Sequence, residues 1–73
     1  AAEAQAREML LMGLRISEGI DLAAHARLSN RPIAPEKIAA LSELGFVTQE
    51  KTRLRATEAG RRILNAVIAE LAE

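Results

Sequence analysis

Cysteine is absent from this chain, so no disulfide, thiolate metal site or iron–sulfur ligand can come from these residues. His25 is the one histidine, which leaves a closed zinc site without a ligand set. Tryptophan and tyrosine are also missing, and Phe46 is the only aromatic residue. A charge excess of either sign is lacking, since 10 basic residues face 10 acidic ones. The chain therefore has no strong electrostatic footprint for a polyanion. No apolar run is long enough to cross a membrane, and no signal-peptide pattern is visible. The lack of cysteine agrees with a cytoplasmic origin. What remains is 73 residues that are 49% apolar, drawn almost wholly from Leu, Ile, Ala, Val and Met. That is one small domain, 1–73, with a modest aliphatic core and a bias toward helices. The chain opens at Ala1 in a helical pattern without an initiator Met. It reads as a fragment of a longer protein.

Apolar periodicity and local stop signals divide the chain. Ala6, Met9, Leu10, Gly13 and Leu14 recur at three- and four-residue spacing, which predicts a first helix over 2–15. Gly19 suits a turn with positive φ, and Asp21 suits an N-cap. A second helix then runs over 22–28, stopped by Ser29-Asn30-Arg31-Pro32. Pro35 fits the first turn of a third helix with Ile38, Leu41 and Leu44 as its apolar stripe, and Gly45 fits its C-terminal cap. Phe46–Glu50 and Arg53–Ala56 predict a hairpin turning at Lys51-Thr52. Thr57 caps a last helix whose stripe is Ile63, Leu64, Val67, Ile68 and Leu71. The fold class is mainly α and winged-helix-like: three helices, a two-stranded β-hairpin wing and a C-terminal helix that packs on the first.

Each polar feature has a plain reading beside a functional one. In a DNA-binding winged helix the third helix enters the major groove. Here that helix exposes Glu36, Lys37, Ala39, Ala40, Ser42 and Glu43, a face that would repel phosphate. Nucleic acid is thus a disfavoured partner. Lys51, Arg53, Arg55, Arg61 and Arg62 gather near a single acid, Glu58. The plain reading is a solvated wing with an ion pair to Glu58. The functional reading is a carboxylate-binding or docking patch, because arginine forks match carboxylates. His25 reads as a surface or half-buried side chain, with heme ligation as the alternative. Met9 and Met12 read as core packing. Arg15 and Glu18 read as a local ion pair that fixes the turn. No constellation suits catalysis in a domain this small.

The segments Met12-Gly13-Leu14-Arg15, Glu18-Gly19-Ile20-Asp21-Leu22, Leu44-Gly45-Phe46-Val47, Leu54-Arg55-Ala56-Thr57, Gly60-Arg61 and Leu64-Asn65-Ala66-Val67-Ile68 together carry a resemblance. In this order the chain resembles the C-terminal domain of oxygen-independent coproporphyrinogen III oxidases and their heme-chaperone relatives. The resemblance implies a parent radical enzyme that binds a four-iron (4Fe-4S) cluster and S-adenosylmethionine on an N-terminal barrel, through a Cys-x-x-x-Cys-x-x-Cys loop. It implies an oxidoreductase acting on coproporphyrinogen (a coproporphyrinogen dehydrogenase) in porphyrin and heme biosynthesis, or a heme chaperone. Met12-Gly13-Leu14-Arg15 with Glu18-Gly19 is closer to the chaperone branch. This domain would be noncatalytic, bind no cofactor or metal itself, and cover the barrel beside a tetrapyrrole such as heme. The residues then expected at tetrapyrrole or interdomain contacts are Arg15, Glu18, Arg61 and Arg62. Two other functions stay open: a DNA-binding winged helix, and a protein-interaction module working through the wing and the last helix.

Overall fold

The computed structural model describes residues 2–72. Five helices and three short strands follow one another: α1 Ala2–Leu14, β1 Ile20–Asp21, α2 Leu22–Ser29, α3 Pro35–Glu43, β2 Val47–Glu50, β3 Arg53–Ala56, α4 Glu58–Arg62 and α5 Leu64–Ala72. The order is that of a winged-helix-like domain. α1 packs against both α2 and α5, so the first and last helices do meet.

The sheet has three strands rather than the two of a simple wing. β3 is central, with β2 and β1 antiparallel on either side. Ile20 pairs with Leu54 and Asp21 with Arg53, while Val47 pairs with Ala56 across the hairpin. β1 is two residues long, too short for an alternating pattern to announce it. Its pairing continues into the next element, where the Leu22 amide donates to the Thr52 carbonyl at 2.7 Å.

Helix ends follow local chemistry. Asp21 Oδ1 accepts from the Ala23 amide at 3.0 Å and starts α2. Asn30, left-handed at φ 66°, ends it. At the end of α3 the Phe46 amide reaches Leu41 O at 2.9 Å and the Gly45 amide reaches Ser42 O at 3.0 Å, the paired bonds of a Schellman motif.

Leu10, Leu14, Val47, Leu54 and Val67 form the driest part of the core, and Phe46 packs on it from one side. Three apolar assignments are corrected. Met12 is 61% exposed, because it lies off the α1 stripe that Leu10 and Leu14 define. Leu44 is 66% exposed, since it caps α3 rather than continuing its buried face. Ile63 is exposed, because the last helix is two helices that break there at φ −123°, ψ 40°. The remaining stripe residues Val67, Ile68 and Leu71 are buried on α5.

Candidate functional site

Two of the expected contact residues lie where α1 gives way to β1. Arg15 and Glu18 are both exposed in the turn between them. No ion pair joins them among the described residues, which corrects the expected local pair. The turn is held instead by backbone and by the sheet. The Ile16 amide reaches Gly13 O at 3.4 Å, the Gly19 amide reaches Ile16 O at 3.3 Å, and Arg55 Nε donates to Ser17 O at 3.0 Å. Gly19 sits at φ +72°, and a Cβ there would collide with Leu54 O. The glycine therefore serves the close approach of the turn to β3. Arg15 is left free of any hydrogen bond or ion pair among the described residues.

Arg15 has apolar company. Leu11, Met12 and Ile16 are all exposed, at 37, 61 and 51%. Leu11 and Met12 belong to the last turn of α1, and Arg15 and Ile16 follow directly in the exit turn, so all four cluster at the end of the helix. This exposed apolar face is not legible in the sequence, where Met12 reads as core packing.

The other two candidates sit on α4. Thr57 Oγ1 accepts from the Gly60 amide at 3.1 Å and donates to Gly45 O at 2.6 Å. The Thr57 amide itself donates to Phe46 O at 3.0 Å. Gly60 is buried, and a Cβ there would run into the same Phe46 carbonyl. Arg61 Nη1 donates to Ala56 O at 2.9 Å. The Thr-x-x-Gly-Arg stretch is thus a lock between the exit of α3 and the start of α4. Arg61 is part of that lock, whereas Arg62 is exposed and unpaired among the described residues. No hydrogen bond or ion pair links Arg15 or Glu18 to Arg61 or Arg62 among the described residues.

The wing cations are dispersed. Lys51, at φ 57°, makes the hairpin turn, and Gln49 Nε2 donates to its carbonyl at 2.8 Å. Arg55 pairs with Glu50 at 3.4 Å, not with Glu58. With Glu50 largely exposed, that pair contributes little to stability.

His25 is buried, at 6% exposure, not a surface side chain as its short helix suggests. The reason is tertiary: α1 packs along α2, and His25 shares a cavity wall with Leu10 of α1. Its Nδ1 has no hydrogen-bond partner among the described residues, and burial lowers its pKa below the ordinary 6.5. Heme ligation would need the imidazole to be reached from outside, and the ring is buried at 6% exposure.

Residues 1–63 match the family model described as the HemN C-terminal domain. The chain belongs to this family. The match covers the α1–β1 turn, the hairpin and the Thr57–Arg61 lock, the parts whose geometry is most constrained. No curated protein and no solved structure matches. No group of three or more His, Cys, Asp or Glu side chains among the described residues could hold a metal ion. Among the described residues no helix is long and apolar enough to cross a membrane.

Proposed function

We propose that this chain is the noncatalytic C-terminal domain of a cytoplasmic, coproporphyrinogen III oxidase-like radical protein. It covers the open side of the parent's N-terminal barrel and forms part of the wall of a tetrapyrrole site. The parent works in porphyrin and heme biosynthesis or in heme trafficking. In this reading the four-iron cluster and S-adenosylmethionine belong to the barrel, and this domain, which has no cysteine, supplies no thiolate to the cluster.

Family membership supports the parentage. The observation that carries the tetrapyrrole reading is the surface at the end of α1, where unpaired Arg15 lies among exposed Leu11, Met12 and Ile16. A tetrapyrrole has an apolar face and carboxylate arms. Apolar side chains suit the first and an arginine fork suits the second. Arg62 is a second cation for an arm, and Glu18, exposed in the same turn as Arg15, is the residue to meet the barrel. Arg61 serves the lock instead.

Heme or coproporphyrin titrated into the intact protein tests this reading. Arg15→Gln should weaken binding by about tenfold, the scale of one charge-assisted hydrogen bond lost. Its thermal midpoint should not move, since Arg15 is exposed. Unchanged affinity for both tetrapyrroles would count against the surface.

A further inference from the structure

A cavity of about 320 Å³ opens between α1, the end of α2, the α2–α3 loop and the end of α5. It shares none of its lining with the Arg15 turn or the wing. Leu10, Ile33 and Leu71 make its apolar wall, and Arg7, His25 and Arg31 make its polar wall. No acidic side chain lines it among the described residues.

One member of the polar wall is buried without a partner. His25 is 94% buried by its 6% exposure, and its Nδ1 finds no partner among the described residues. A buried nitrogen without a hydrogen bond is a standing penalty that native structures keep rare. Arg7 and Arg31 are exposed at the cavity mouth, and their guanidinium groups make no hydrogen bond or ion pair among the described residues, so they are open to a ligand. Ser29, by contrast, is spent on its own loop: its hydroxyl donates to Arg31 O at 2.6 Å and accepts from the Arg31 amide at 3.3 Å. Those two bonds hold the loop that carries Arg31 over the cavity.

Two cations beside an orphan imidazole, over an apolar floor, define one ligand chemistry. Guanidinium forks select a carboxylate, and the aliphatic floor selects a short carbon body. We propose that this cavity binds a small organic carboxylate, with its acid group between Arg7 and Arg31 and its carbon chain on Leu10, Ile33 and Leu71. The inference is independent of the tetrapyrrole reading, because it uses a different part of the surface.

Hexanoate titrated into the 73-residue chain, followed by nuclear magnetic resonance, is the test. The core of this chain closes among its own residues, and His25 is its single histidine, so the ring signals are unambiguous. Hexanoate should shift the His25 ring and the Ile33 and Leu71 methyl signals saturably. Arg7→Gln with Arg31→Gln should weaken that binding by about tenfold or more, as expected when two charge-assisted contacts are lost. 1-Hexanol needs no variant and should bind far more weakly than hexanoate. Equal binding of the alcohol, or no saturable shift, would overturn the proposal. Repeating the titration on the full-length protein separates a free acid from an acidic side chain of the protein itself. Binding to the domain alone would overturn the free ligand, because the cavity would then be filled from within.

Discussion

Thr57 joins two parts of the chain through one hydroxyl, capping α4 and holding the Gly45 carbonyl. Thr57→Ala should destabilise the domain by about 1–2 kcal/mol, and Thr57→Ser should recover most of it, as read by urea unfolding. A larger loss is expected at Gly60, where any side chain meets the Phe46 carbonyl. His25 gives a pH signature. Its folded pKa lies below 6.5, so the unfolded chain binds the extra proton more readily. The neutral histidine's stability is then complete above pH 6.5 and is lost as pH falls from there toward the folded pKa. The unfolding midpoint should drop over that window, and His25→Leu should flatten the drop. Thr57, Asp21 and Gly19 were legible in the sequence because caps and turns are decided by neighbouring residues. The burial of His25 was not, because it depends on how α1 lies across α2.

Helix and strand boundaries divide along the same line. The Schellman exit of α3 could be read from Gly45, and the hairpin from its alternating second strand. β1 could not, since two residues carry no period and their pairing with β3 is a long-range event. The break at Ile63 was hidden in the same way: its apolar side chain fits a continuous stripe, while its backbone leaves the helical region at φ −123°, ψ 40°. Ile63→Lys should therefore change stability by no more than about 0.5 kcal/mol, as at an ordinary surface position. Ile68→Ala, one helical turn on and buried, should cost about 2–5 kcal/mol. Chemical denaturation of the two variants side by side would check the division. Comparable losses at both positions would mean that the last helix is continuous.

The molecule as a whole is neutral, small and without metal-binding groups among its described residues, yet it leaves an apolar face with a free arginine at the end of α1. Such a face is out of place on an isolated domain and in place at the edge of a larger site. Arg15 and Glu18 stood out by their position in the turn, and the structure leaves both exposed. Arg61 stood out by its motif, and the structure gives it to the scaffold. Motifs that mark a family mix both kinds of residue, and only hydrogen bonding separates them. The central claim is that this domain completes a radical enzyme or a heme chaperone of the same build. The most direct measurement is to read the coding sequence upstream of Ala1. A Cys-x-x-x-Cys-x-x-Cys loop is expected in that region. An upstream region that encodes a whole domain without such a loop would contradict the claim.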